Sequence, residues 1–280
     1  MGSPDVVSIA FRVVAFVLLM SACGAAIFRC LFGNLLSASR QPVVRLCVRF
    51  AIAAIVAVTA HHALEAARMA GEMDGLFDPA LQMIALRSSA GAAFALQIIG
   101  LAVLAFGAGR RWLGLTGAVL AVAAFDLTGH TSVNPHRAAA AALLALHLLI
   151  VAFWTGSLWP LYLAAGREQP RVTARLIEAF SRIAAWVVPL ILLAGVGLTV
   201  LLVPSLEVFR QPYGRLLLAK VALFSLLMWL AVLNRYNYGP ACETGDTQGF
   251  RRTVVSEYII ICGVLAITAV LTMFYSPEAP

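Results

Sequence analysis

Charge is scarce in this chain: only 12% of its 280 residues are Asp, Glu, Lys or Arg, whereas 62% are hydrophobic. With a mean hydropathy of +0.93, that composition excludes a soluble globular domain and points to a polytopic membrane protein. Cysteine is sparse too. Cys23, Cys30, Cys47, Cys242 and Cys262 form no C-x-x-C pair and are odd in number, so neither a disulfide framework nor a thiolate zinc site is expected. There is no P-loop, no G-x-G-x-x-G, no nucleophile elbow and no aspartyl-phosphate motif of an ion pump. Those absences argue against nucleotide as partner or fuel and against an enzyme of these classes. The N-terminus lacks the short apolar core and small-residue cleavage site of a signal peptide, so the first apolar run is expected to be a retained span.

What is there is apolar length. Eight runs long enough to cross a hydrocarbon core of about 30 Å fall near residues 7–28, 44–66, 88–107, 111–129, 139–164, 174–202, 212–233 and 253–275. The expectation is an all-α bundle of eight transmembrane helices forming one domain over 1–280. Pro189 within the sixth run predicts a kink or tilt. The net charge of +7 reads as topology, not as nucleic-acid binding, because the arginines sit in short connections. Arg40 and Arg45 flank the first, Arg110 and Arg111 the third, Arg167 and Arg171 the fifth, and Arg251 and Arg252 the seventh. The even connections carry Glu72, Asp74, Asp78 and Glu207 instead. The positive-inside rule places the odd connections in the cytoplasm and both termini outside, as an even span count requires.

On that topology all five histidines fall in the outer half. His61 and His62 lie near the outer end of the second run, His130 ends the fourth, His136 opens the fifth, and His147 lies roughly 12–14 Å deeper. An ionisable side chain at that depth faces a bundle interior, while His136 reads as an ordinary interfacial residue. Neighbours on a helix diverge by about 100°, so His61 shares a face with Glu65 and Arg68, and His62 with Ala66 and Met69. Asp126 precedes His130 by one turn and is suited to orient its imidazole. Met69, Met73 and Met83 follow on the outer side. They read as packing at a membrane surface or as an entry relay. Imidazole with thioether is a donor set that selects copper, Cu(I) above all. Lys220 in the seventh run lies near the level of His147, Glu178 and Arg182 form an i,i+4 pair, and Glu257 is placed to neutralise a neighbour. Gly156 suits a close helix approach.

Several segments then resemble a known family. "LTGHTSVNP" followed by "LLALHLLIVAFWTGSLWPLYL" is similar to the TGH and H-x6-W-x-G signatures of the copper resistance protein D family. "RLIEAFSRIAAWVVPLILLAGVGLTV" resembles its F-S-R span, and "PYGRLLLAKVALFSLLMWLAVLNRYNYGP" its Y-G-x-x-L-x-x-K span with a closing Asn-Arg. The resemblance covers roughly residues 125–240. It implies a multi-pass bacterial inner-membrane protein handling copper, with uptake into the cytoplasm and a separate periplasmic copper-binding partner of the CopC type. His130, His147, Trp154, Gly156, Arg182 and Lys220 are the motif positions.

Two functional readings stay open, besides a membrane assembly factor. In the first, copper is bound by a periplasm-facing site of His61, His62, His130 and His147, with Met69 and Met73 as further ligands. Glu65, Asp126, Trp154 and Lys220 surround it and set charge or gate passage. In the second, the histidines ligate a haem b for electron transfer, cupric reduction or quinol oxidation. Four of the five histidines lie near the outer surface, which disfavours the haem.

Overall fold

The computed structural model describes residues 2–128, 136–202 and 206–275. Among them there are helices and turns and no strand. The helices are α1 (Ser3–Phe32), α2 (Arg40–Ala70), α3 (Pro79–Arg87), α4 (Ser89–Gly107), α5 (Arg111–Ala123), α6 (Arg137–Ala165), α7 (Pro170–Leu202), α8 (Pro212–Leu233), α9 (Gly239–Ala241) and α10 (Gln248–Phe274). A π-helical segment, Asn234–Tyr238, carries α8 on toward α9.

Local chemistry sets many of the ends. Asp5 in the first turn of α1 accepts from the Gly2 N–H at 3.0 Å. Asp78 caps α3 through the Ala80 and Leu81 N–H groups, with Pro79 at the first position. Ser88 caps α4 through the Gly91 N–H at 3.3 Å. Gly71 stops α2 at φ +78°, a left-handed conformation that favours glycine. Because α2 runs on to Ala70, His61 and His62 sit more than two turns inside its end, deeper than the sequence suggested.

Among the described residues, seven helices are long and apolar enough to cross a membrane: α1, α2, α4, α6, α7, the Pro212–Thr244 unit containing α8, and α10. The fourth expected span departs from that pattern. It forms the short α5 of 13 residues, extended by a 3-10 turn over Ala124–Leu127. Rises of about 1.5 Å and 2.0 Å per residue make this unit slightly shorter than a hydrocarbon core of about 30 Å. Its register against α4 is fixed by glycine. A Cβ on Gly117 would lie 2.4 Å from the Leu104 nitrogen, and one on Gly100 2.5 Å from that of Ala121.

The interior is built around α1, whose stretch from Leu19 to Ala26 is buried throughout. It packs against α2, α5, α6 and α10. The crossing with α6 is backbone on backbone: a Cβ on Gly156 would lie 2.4 Å from the Ala25 nitrogen and 2.5 Å from Gly24 Cα. This is the close approach by small residues that stands in for a hydrophobic driving force between helices in lipid. By contrast, α7 and α8 expose apolar side chains such as Trp186, Leu193, Val200 and Trp229, a surface suited to acyl chains.

Polar contacts define the two ends. At one end Arg68 at the close of α2 bonds Asp5 of α1 at 3.5 Å, and Arg12 donates to Thr272 near the close of α10 at 3.0 Å. The start of α1 and the ends of α2 and α10 therefore share one face. At the other, Glu168 in the α6–α7 connection accepts from the Ser37, Ala38 and Ser39 N–H groups at 3.0, 3.2 and 2.8 Å. The hydroxyls of Ser37 and Ser39 also donate to it. Partial burial works to raise the Glu168 pKa, but these bonds outweigh it and hold the carboxyl at about 2. One carboxylate thus clamps the loop that starts α2 to the loop that starts α7.

Candidate functional site

The two adjacent histidines of α2 face different helices. His61 turns to α1, with Nδ1 3.4 Å from Ser8 Oγ and Nε2 3.9 Å from Glu65. Glu65 in turn accepts from Arg68 at 3.1 Å, so His61 belongs to a polar cluster with Ser8, Glu65 and Arg68. His62 turns to α4 and stacks on Phe94, with ring centroids 4.3 Å apart and planes 3° from parallel. It is 8% exposed, and its Nε2 finds no hydrogen-bond partner among the described residues. A buried acceptor or donor left so costs about 1–3 kcal/mol.

His147 lies elsewhere, on α6 against α7. A Cβ at Gly195 would approach its ring to 3.7 Å, and Lys220 lies half-buried on α8. His147 Nδ1, like Asp126 Oδ1, is buried and unbonded among the described residues. His130 falls outside those residues, so the Asp126–His130 pairing does too. Met69 is 50% exposed and Met83 48%, while Met73 is half-buried at the start of a 3-10 turn. Among the described residues no three His, Cys, Asp or Glu side chains gather into a metal-holding group. Glu178 and Arg182 pair at 3.9 Å with both side chains largely exposed, a contact of little energetic weight.

Trp154 leads to Glu257, which was expected to neutralise a neighbour but has no ion-pair partner among the described residues. Its Nε1–H donates to Glu257 Oε2 at 3.3 Å, and Asn234 Nδ2 donates to Glu257 Oε1. Thr253 holds Asn234 through its carbonyl oxygen. Glu257 is 3% exposed and lies about 13 Å along α10 from Gln248. Its carboxyl lines an apolar cavity of about 260 Å³ bounded by α6, α7, α8 and α10. The signal was available. A lone carboxyl within the last apolar run deserves the same reading as His147, and Asn234 closes one of the quoted motifs.

Ionisable groups buried inside apolar helices are costly to keep and mark candidate functional positions in a membrane protein. Two family descriptions match the chain in sequence: copper resistance protein D over residues 174–271, and the copper resistance protein D-like N-terminal domain over residues 3–138. The chain belongs to the copper resistance protein D family. It is 30% identical over 158 residues to a copper transport protein, CutJ, of Bacillus subtilis, covering 55% of this chain and 28% of that protein. It is 35% identical over 112 residues to a copper resistance protein D of Pseudomonas syringae pv. tomato, covering 37% of this chain and 36% of the relative. The chain therefore spans about a third of the length of the curated relatives it matches. No solved structure matches. The haem alternative finds no support in these matches.

Proposed function

We propose that the chain carries copper across the bacterial inner membrane toward the cytoplasm, from a site reached from the periplasm. The observation that carries the reading is His62, an imidazole buried in the bundle with a nitrogen that no described residue satisfies. A side chain kept at that expense suits a ligand that arrives from outside, and copper stands in the names of both relatives. His62, on the α4 side, and His147, on the α7 side, serve as ligands at successive stations of the route, with His130 as a further donor. His61 is held by Ser8 and Glu65 as a neighbouring base, and Met69 and Met73 pass Cu(I) inward from the surface. Asp126 and Lys220 set the charge along the route, and Trp154 anchors its inner part. Copper is delivered by a separate periplasmic protein of the CopC type.

The bundle crosses the bilayer eight times as one domain, with both termini periplasmic. Parity supports this: the start of α1 and the end of α10 share a face, so the seven long helices need α5 as an eighth crossing. Copper uptake and binding by His147→Ala and His136→Ala test the site. The first is expected to lose at least tenfold in affinity, about 1.4 kcal/mol, and the second to match wild type. Equal behaviour of the two overturns the assignment.

A further inference from the structure

The cavity beside Glu257 has features that the outer histidines do not explain. Both oxygens of a buried carboxyl receive N–H donors, from Trp154 and Asn234, and no cation pairs with it among the described residues. Arg235 is the other ionisable side chain lining the cavity. It is exposed, turned to the Ser181 carbonyl at 3.4 Å and to the Tyr236 ring. Other titratable groups on the neighbouring helices, Lys220 of α8, Arg175 of α7 and Cys262 of α10 among them, do not line the cavity; Glu178 and Arg182 of α7 lie at the exposed surface, Arg251 of α10 covers Tyr162, and Tyr258 bonds Ser21 of α1.

Two helix irregularities flank this carboxyl. Pro189 has no N–H, so the carbonyl of Ala185 loses its intrahelical donor, and both residues line the cavity. The π-helical segment begins at Asn234, which also lines it. Local departures of this kind inside spanning helices recur where backbone oxygens take up ions. The thioether of Met228 and the rings of Trp154 and Phe180 complete the wall, adding soft and π donors suited to a monovalent cation.

We infer that this cavity is a proton–cation exchange site, in which Glu257 holds either a proton or one monovalent cation. A net charge in an apolar interior is strongly disfavoured, and exchange keeps the site neutral in both states. When the cation enters, the Glu257 O–H bond breaks, the proton leaves to water, and the carboxylate binds the cation without any electron transfer. The cation is either the cargo, Cu(I), or a coupling ion such as Na⁺. Only the Cu(I) identity rests on the copper reading above; the exchange stands on the cavity.

The test is modification of the full chain in detergent by the apolar reagent dicyclohexylcarbodiimide, which adds to protonated carboxyls in apolar surroundings, with the labelled position read by peptide mass. Glu257 is expected to label. Cu(I) under a mild reductant, or Na⁺ in a parallel arm, is expected to cut the labelling roughly tenfold at about ten times its Kd, where about a tenth of sites remain free. Proton release of about one per cation bound should accompany it, and Glu257→Gln should abolish both, with Glu257→Asp as the variant that keeps the carboxyl. Protection by Cu(I) assigns the site to cargo, and protection by Na⁺ assigns it to coupling. Absence of labelling at Glu257 in wild type, or labelling that neither ion reduces, overturns the exchange and leaves copper binding at His62 to be judged by its own variants.

Discussion

Replacing His62 by Phe separates a ligand from a packing residue. In the structure the His62 ring lies 4.3 Å from Phe94 and parallel to it, a geometry that a phenyl ring can reproduce with little change in volume. The substitution keeps an aromatic pair, worth about 0.5–1.5 kcal/mol beyond its area. It also removes a buried nitrogen with no partner among the described residues, whose burial costs about 1–3 kcal/mol. The fit of the extra ring atom offsets part of the gain, up to about 1 kcal/mol. The expected net effect is a stabilisation of about 1 kcal/mol, or a rise of about 2–4 °C in Tm for a chain of this size class. Copper binding is expected to fall at least tenfold in the same protein. The assay pairs thermal unfolding in detergent, followed by tryptophan emission, with equilibrium dialysis against buffered Cu(I). A variant that melts below wild type while binding copper equally well would refute the reasoning, because His62 would then be held by interactions its nitrogen makes.

Three further outcomes follow from the packing. Gly156→Val should lower stability by about 1–3 kcal/mol or more, since its side chain would meet backbone of Gly24 and Ala25; Gly109→Ala, with open space around it, should stay within about 0.5 kcal/mol of wild type. Glu168→Gln should destabilise by about 1 kcal/mol at neutral pH, the loss of charge-assisted bonds at a partly solvated site. With a carboxyl held at about 2, below its usual value of about 4.3, the clamp contributes fully above about pH 4.5 and loses that contribution as pH falls toward 2. The difference in Tm between wild type and variant should therefore shrink over that range. Trp154→Phe should remove one of the donors to Glu257 and cost about 1–3 kcal/mol, and hydrogen–deuterium exchange of α10 should rise near that position.

The spans were legible because lipid imposes one rule along the whole chain: about 20 apolar residues for each crossing. That rule missed the shortness of α5, where Gly117 serves close packing against α4. It also misplaced the end of α2, since polar residues from His61 to Arg68 continue as helix when Ser8 and Asp5 of α1 receive them. On α2, helical spacing separated the faces of His61 and His62 and brought His61 to Glu65. Which helix each face meets depends on packing between spans, and periodicity carries no such information. The Trp154–Glu257–Asn234 network joins residues more than twenty positions apart, so only the tertiary structure assembles it, although each member was visible as a polar residue in an apolar run.

The most direct test of the proposed copper handling at His61 and His62 is the copper-to-protein ratio, measured by elemental analysis after gel filtration of wild type and of the His61→Ala/His62→Ala double variant. The expected result is a stoichiometric ratio in folded wild type and a ratio near zero in a double variant that elutes and melts as a folded protein. Equal copper in both proteins would contradict it.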